Sequence, residues 1–482
     1  MKSLTFTQGT RFTASIVFAT ALPLLLLLLL LSSATAPRAA EARPGNFERY
    51  PVGTESIGMG GTGVAAGQSV WHNPAGLGTV TSQGISASLS AYGYTRERIP
   101  RFMDVTLADG LDMSGAVRND AIDIFPLSLS FAKPLGDASF RHAIGLAVVL
   151  PDYDQFDGAL DVPPSQLSFE LRARRVAESK TYWLLAGWGG CYEAFCFGAA
   201  PTAAFLIDDG YDVTTVYLAA DETTVAEAST SNKLLRMAFA IGAQFGAQFE
   251  PTMGLRLGFV VRTPMRSIWT DGEFLHVSTF VSQPASEAQS YVDRVESQDP
   301  RLDFRLPWRF AVGAAYSVPN AWAIALDLRL TLGQSEYAAV AGPNGEASMQ
   351  PATPNGSITD VNRAINVAQY VRLVPAANMN VGGRVYLSET LVLQGGLFTD
   401  LSATSKNDVI RLDQERLSRV GATLGAAWFG ESTRTWVTVL GALGSGSAPG
   451  FGLATDGSGF IATLTHLDSK TIMLLIGSSA TL

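Results

Sequence analysis

The sequence is short of the residues that carry chemistry. Its 482 residues include two cysteines, Cys191 and Cys196, and four histidines, His72, His142, His276 and His466. Scattered so thinly, they build no multi-ligand metal cluster. No Ser-His signature marks a nucleophile, and no Gly-Lys-Ser/Thr marks a phosphate loop. No catalytic residue, cofactor or metal is expected. Charged residues make up 16% of the chain, below the usual quarter for soluble domains. The net charge is −9, with acids spread through connecting segments, which argues against nucleic acid as a partner. Beyond Ala42 no run of about 18 successive apolar residues occurs, so no membrane-spanning helix is expected there. No Ser/Gly/Pro-rich linker or charge run divides the chain. What is plentiful is apolar and small: 47% hydrophobic residues, 47 glycines and 25 phenylalanines.

Residues 1–42 read as an export signal. Lys2 and Arg11 precede an apolar stretch from Ile16 to Leu31, unbroken leucine from Leu24 onward. Ala40-Glu41-Ala42 offers small residues around a cleavable bond. No cysteine follows the apolar stretch, so a lipid-anchored amino terminus is excluded.

From Gly84 the chain alternates with period two, the signature of strands. In Met237–Phe249, Met237, Phe239, Ile241, Phe245 and Phe249 alternate with Gly242, Gln244, Gly246 and Gln248. After Glu250-Pro251-Thr252 the pattern resumes, with Leu255, Leu257 and Phe259 set against Arg256 and Arg262. An arginine facing lipid at the bilayer midplane costs about 2–4 kcal/mol. Leu and Phe are therefore expected outside, with Arg, Gln and Gly inside. Fourteen strands are expected, near 84–96, 122–132, 140–150, 167–189, 193–206, 232–249, 253–270, 304–317, 321–337, 375–387, 390–400, 414–429, 433–445 and 470–482. Short turns near Gly136, Tyr192, Pro251, Pro319, Ser388 and Glu431 alternate with longer connections. That alternation suits an outer-membrane barrel with both termini in the periplasm. A soluble sandwich or propeller gives no reason for apolar residues to point outward on every strand.

One stretch does not alternate. Ser56–Gly78 holds seven glycines, namely Gly58, Gly60, Gly61, Gly63, Gly67, Gly76 and Gly78. Glycine permits close backbone approach and positive φ, and Pro74 biases Asn73 toward extended backbone. A tightly turned segment packed inside something else is expected. Gly58-Met59-Gly60-Gly61, Val64-Ala65 and Asn73-Pro74-Ala75-Gly76-Leu77 resemble the N-terminal hatch of the FadL-type outer-membrane transporters of long-chain fatty acids and other hydrophobic compounds. Gly67-Gln68-Ser69 departs from the acidic residues of many relatives.

The resemblance implies an all-β protein, a 14-stranded antiparallel transmembrane β-barrel in the outer membrane of a Gram-negative bacterium. Residues 43–80 would be its plug and residues 81–482 its wall. It further implies a greasy external groove, an apolar pocket, and sideways escape through a gap at a kinked third strand, where Gly145 and Pro151 offer a kink. The expected partners are a hydrophobic small molecule, membrane lipid, and the assembly and chaperone machinery of biogenesis. Two other functions fit such a barrel: a docking adaptor in protein secretion, and a porin for polar solutes.

Individual residues carry further expectations. Cys191 and Cys196 flank a short turn and are candidates for a disulfide in an oxidising compartment, against free thiols or a metal site. Arg256, Arg262, Arg305, Arg309, Arg329 and Arg384, with Asp327 among them, are expected in the lumen. They either pair with acids and hold the plug, or one or two, foremost Arg309 and Arg384, bind a substrate carboxylate. Phe274 and Phe280, with Leu275, Val277 and Val281, are candidates for the external groove, as are Phe102, Met103, Val105 and Leu107. The alternative for both groups is strand that continues beyond the membrane.

Overall fold

The computed structural model describes residues 43–106, 112–135, 140–162, 169–221, 224–283, 289–297, 301–341, 345–347, 350–351, 363–365, 369–412, 414–453 and 460–482. The export signal expected at 1–42 lies outside them.

Fourteen strands form the wall. In chain order they are β1 (Gly84–Thr106), β2 (Asp112–Pro134), β3 (Arg141–Val162), β4 (Phe169–Tyr192), β5 (Phe195–Asp221), β6 (Thr224–Thr252) and β7 (Leu255–Arg262, resumed at Met265–Gln283). Then come β8 (in pieces, the longest Arg309–Val318), β9 (Trp322–Thr331, resumed at Gln334–Ala341), β10 (Gln369–Leu373, resumed at Ala376–Tyr386), β11 (Leu391–Asp400), β12 (Arg416–Phe429), β13 (Thr433–Leu453) and β14 (Phe460–Thr481). Neighbours in sequence pair antiparallel. β1 closes the ring on β14, from Gly84 opposite Thr481 to Arg98 opposite Asp468. Closure removes the two free edges an open sheet would carry.

Side chains alternate across this wall as the sequence pattern demands. Ile241, Phe245, Leu257 and Phe259 are exposed on the outside, while Gln244, Gln248 and Arg262 are buried. The same holds at the far end of the chain: Ile472 and Leu482 point out, Met473 and Leu475 in. Ile124 and Leu424, both 72% exposed, are among the most accessible apolar side chains. An apolar exterior around a closed ring suits hydrocarbon and not water.

The short turns among the described residues gather on one rim, and the turn expected near Gly136 lies outside them. Glu193, Gly254 and Asn320 take positive φ of 50°, 86° and 53° to close three of them. Toward the other rim the strands run on further than the sequence pattern indicated. The segments expected as loops at 97–121, 207–231 and 271–303 are largely strand, and β5 and β6 stay paired out to Asp221 opposite Thr224. Outside hydrocarbon the outward face meets water. The polar–apolar alternation fades there while the backbone ladder continues.

Four neighbouring strands break at Pro264, Gly333, Pro375 and between the pieces of β8 around Pro307. Proline cannot donate to the ladder. Beyond the break, pieces of β8, β9 and β10 (Arg301–Leu302, Gln334–Ala341 and Gln369–Leu373) form a small sheet of their own. The 401–415 connection carries a short helix, α2 (Asp408–Arg411), after the plug's own α1 (Thr54–Gly58). This connection turns inward, where the Ala403 amide donates to Gly45 O at 2.8 Å.

The orientation of the wall is testable. Leu424→Arg places a charge on the outer face in the middle of β12. It is expected to lower stability in lipid vesicles by about 2–4 kcal/mol, read from the denaturant midpoint. An unchanged midpoint would mean that this face does not meet acyl chains.

Candidate functional site

Residues 43–80 fill the ring. The plug forms no strand. It is held by turns of its own and by side chains of the wall. After α1, the amides of Met59 and Gly61 donate to Ser56 O at 3.0 and 2.7 Å. Gly60 and Gly61, at φ 66° and 82°, then turn the backbone through conformations that a side chain disfavours. A Cβ on Gly60 would also stand 2.9 Å from Leu397 O in β11. Asn73 caps the 3-10 turn Pro74–Thr79. Its side chain accepts from Ala75 N at 3.0 Å and donates to Val64 O at 2.7 Å and to Ala247 O of β6 at 3.1 Å. One carboxamide thus fixes the cap, an inner turn and the wall together.

The wall receives the plug on glycines of its own. A Cβ on Gly198, Gly246 or Gly258 would run into the backbone or side chain of Pro74, Asn73 or Val64, and one on Gly396 into Gly60. Around them polar side chains grip plug backbone. Asp327 Oδ2 accepts from the amides of Gly63 and Val64 at 2.8 and 3.1 Å. Gln244 Nε2 donates to Trp71 O at 3.2 Å, and Thr423 Oγ1 donates to Gly58 O at 2.9 Å. Cys191 and Cys196 are joined in a disulfide, and Ala75 packs against it. The β4–β5 hairpin is therefore cross-linked at the plug's seat.

Ion pairs complete the attachment. Glu48 of the plug meets Arg262 at 2.5 Å, Arg309 at 3.5 Å, and Arg329. Arg384 pairs with Glu55 at 2.6 Å. Arg43 is clasped by Glu97 and Glu415, each at 2.7 Å. The lumen arginines from β7 to β10 thus hold the plug. Arg256 and Arg305 pair elsewhere, with Glu250 and Asp303. Arg309 Nη2 remains without a hydrogen-bond partner among the described residues. Arg262 and Arg309 also lie over the Trp71 and Trp183 rings, at 4.1 and 4.6 Å respectively.

Charge follows from this packing. Burial pushes the Glu48 carboxyl up, but Arg329, Arg262 and Arg309 outweigh it and hold it at about 2. Burial and Arg329 press His72 down to about 3, so its ring is neutral. It touches Val52 O at 3.0 Å and Ser56 Oγ at 2.8 Å and is a structural residue of the plug.

The wall has a gap. β2 and β3 pair at Arg118 opposite Ala159, and again from Ser128 opposite Val149 to Pro134 opposite Ala143. Between these, Asn119–Leu127 and Leu150–Gly158 share no ladder. Both strands are irregular here: against β1, β2 takes two steps from Ser128 to Pro126 for one from Ser88 to Leu89, and β3 has an extra residue against β4. Val149 lies opposite Trp183 and Asp152 opposite Thr181, so three steps on β3 match two on β4. Pro151 sits in that bulge, and Pro126 lies in the facing stretch of β2, each without an N–H. The plug serves the carbonyls that β2 leaves: Tyr50 N donates to Pro151 O at 3.2 Å and Arg49 Nη1 to Tyr153 O at 3.1 Å. Behind the gap lies an apolar cluster that includes Tyr50, Phe125, Leu127, Leu150, Tyr153 and Trp183. Phe125 and Tyr153 stack at 4.6 Å. The kink expected at Gly145 and Pro151 is therefore at Pro151, since Gly145 lies within the intact ladder.

Open space is divided by the plug. A cavity of about 60 Å³ lies above it, lined by Phe47, Glu48, Trp71, Arg309 and Phe398 among others. That is room for a few waters and not for an acyl chain. A vestibule of about 870 Å³ lies beneath, lined by Gln68, Ser130, Arg256 and Arg384. Arg309 and Arg384 thus stand on opposite sides of the plug and do not share one site. Phe274 is not an outer landing surface: it is buried with Leu234 and Val340. Phe102 is buried as well. The side chains of Phe280, Val281, Met103, Val105 and Leu107 lie outside the described residues. The β2–β3 gap left only Pro151 as a sequence signal, and the barrel glycines that seat the plug left none distinct from other glycines.

No family model and no curated protein matches the chain. Solved structures do. A FadL homologue of Pseudomonas aeruginosa aligns over 92% of this chain and 100% of its own, at 12% identity and a TM-score of 0.51. The TodX deltaS2S3 mutant, a monoaromatic hydrocarbon channel, aligns over 90% and 100%, at 13% identity and a TM-score of 0.55. The P. putida toluene transporter TodX aligns over 90% and 99%, at 14% identity and 0.50. The chain has the fold of these barrels.

Acid is expected to loosen the plug. The Glu48 contribution is complete above its ordinary value of 4.5 and is lost as pH falls toward about 2. His72 acts in the same sense: its folded value lies below 6.5, so its neutral burial costs stability as pH falls from 6.5 toward about 3. With the pH dependence of intrinsic exchange divided out, the protection of residues 43–80 against hydrogen exchange should fall between pH 7 and pH 3 more than that of β12. Asn73→Ala should destabilise the seat by roughly 2–3 kcal/mol through the buried partners it strands. Equal protection at both pH values would contradict the charge assignments.

Proposed function

We propose that this chain is a FadL-type outer-membrane transporter that admits hydrophobic small molecules, such as long-chain fatty acids or hydrocarbons, and releases them sideways through the β2–β3 gap. Residues 1–42 direct export and residues 43–80 gate the lumen. The observation that carries the reading is the interrupted ladder. It sets an apolar cluster of the interior beside the outward apolar belt, at a segment where plug donors and the Asn119 side chain stand in for strand pairing. The names of the like-folded proteins, a FadL homologue and hydrocarbon channels, support the same class.

The physical logic is that of an apolar solute faced with polar layers. A water-filled pore does not attract such a solute, and the lipopolysaccharide-type surface of an outer membrane repels it. A plugged ring lets it pass from external surface to acyl chains without crossing water. With the plug seated, the cavity above it is about 60 Å³. Ligand must bind a displaced plug better than the seated one for the change to occur. The attachment offers a trigger. Three guanidiniums, from Arg262, Arg309 and Arg329, face one plug carboxylate, Glu48. Buried cations in excess of their partners favour a further anion. A substrate carboxylate would take the open Nη2 of Arg309 and compete with Glu48 for the rest. Arg384 serves as a plug latch through Glu55, and no reaction is assigned to any residue.

The seated plug speaks against a porin, and the gap has no use in a secretion adaptor. Deleting Pro151 removes the extra residue that β3 carries against β4. It is expected to cut uptake of a labelled long-chain fatty acid into cells by about tenfold or more, the equivalent of roughly 1.4 kcal/mol, with the barrel still folded. Arg309→Gln should weaken fatty-acid binding and spare alkane binding. Full uptake by the Pro151 deletion would remove the lateral route.

A further inference from the structure

The outer face of β14, β1 and β2 carries a group of cations that the passage reading does not use. Arg96 and Arg98 alternate outward along β1 with the inward Thr95, Glu97 and Ile99. Across the ladders Arg96 lies opposite Asp120 and Lys470, and Arg98 opposite Arg118 and Asp468. These side chains line a surface concavity of about 520 Å³. Two carboxylates temper the patch. Asp120 is taken by Arg96 at 2.7 Å and by the Tyr94 hydroxyl, which donates at 2.6 Å. Asp468 is taken by His466 at 2.9 Å. Arg98, Arg118 and Lys470 have no carboxylate partner among the described residues. Four cations, Arg96, Arg98, Arg118 and Lys470, against the carboxylates of Asp120 and Asp468 leave these six groups a net charge of about +2.

Its height is informative. Leu482 ends the apolar face of β14, and Lys470 stands twelve residues away. At about 3.3 Å per residue and a tilt near 40°, that is a rise of ~30 Å. The hydrocarbon-facing band of such a barrel is about 25 Å tall. The cations therefore stand just above the band, at the rim away from the short turns. Immediately below them Ile122, Ile124 and Ile472 are 65%, 72% and 52% exposed, and Leu443, opposite Lys470, is 66% exposed. Further along the wall, Arg174 is paired with Asp157 and Lys233 with Glu273.

We propose that Arg98, Arg118 and Lys470, with Arg96 beside them, bind the phosphate groups of an anionic glycolipid of the outer leaflet, whose acyl chains lie over Ile122, Ile124 and Ile472. Guanidinium groups clasp phosphate oxygens in pairs, and lysine adds a point charge. Convergent cations at headgroup height over a greasy face fit one occupant, a lipid with phosphate at its head and chains below. The site abuts the gap, because Arg118 makes the last β2–β3 pair before the ladder stops. A lipid held there stands beside the exit. The proposal rests on the reading of the chain as an outer-membrane barrel.

The test uses the full mature chain in detergent and native mass spectrometry with bisphosphorylated lipid A as probe. The wild-type protein is expected to retain it, and the R98Q/R118Q/K470Q variant to retain about tenfold less. Dephosphorylated lipid A should bind the wild type as poorly. A large excess of inorganic phosphate should not displace the lipid. R266Q, which removes an exposed cation on β7, should change nothing. Should the triple variant fail to fold, the single variants R118Q and K470Q are read in its place. Equal retention by wild type and variant, equal retention of the dephosphorylated lipid, or displacement by free phosphate would each overturn the proposal. Binding of an apolar probe by the same samples separates this outcome from the passage reading, since the variants leave that reading's residues intact.

Discussion

Hydrocarbon offers no hydrogen bonds. A backbone that stands in it must satisfy every N–H and C=O from within the protein. That constraint explains the closed ring, with β1 joined to β14. It also explains why the interruption of the ladder between β2 and β3 is coupled to the plug. Where β2 leaves the carbonyls of Pro151 and Tyr153, Tyr50 and Arg49 supply donors. Gap and plug are thus one construction. Movement of the plug away from β3 would strand those carbonyls, so an opening of the lumen and a change at the gap are energetically linked.

Steric fit determines how the plug is held. Glycines on the wall meet plug backbone at Gly198, Gly246 and Gly258, and plug glycines meet the wall at Gly60. The contact is backbone to backbone, with Asp327, Gln244 and Thr423 supplying the polar partners. The same seat also buries Tyr50, Val52, Ile57, Val70, Trp71 and Leu77 of the plug in an apolar core shared with the wall, and much of its polar attachment is ionic. The Glu48 cluster is accordingly a place where an anion can shift the balance between seated and displaced plug.

The ring itself was legible. Met237–Phe249 alternates so regularly that its outward and inward faces could be assigned from the penalty for an arginine in lipid, and the structure places them so. All fourteen strands fell where period two indicated, because hydrocarbon enforces that period. Past the hydrocarbon band the enforcement ends, and the continuation of β5 and β6 was read as loop. The Asn73-Pro74-Ala75 run announced a turned, buried segment, since its residue types restrict backbone more than they fill space. The partners of that segment were not legible. Gly246 and Gly258 resemble any strand glycine until the plug is seen against them, and Glu48 lies outside the glycine-rich run altogether. Phe274 misled because an apolar residue in an expected loop reads as surface, whereas the loop is wall and the residue faces inward.

The central claim is that an apolar solute leaves through the wall and not through the floor. A photoreactive alkyl probe applied from outside to cells making the protein tests this most directly, with the labelled residues mapped by mass spectrometry. The account predicts adducts along the β2–β3 edge, at residues such as Phe125 and Tyr153. Adducts concentrated on the vestibule beneath the plug, at Gln68, Ser130 or Arg256, with the β2–β3 edge unlabelled, would contradict it.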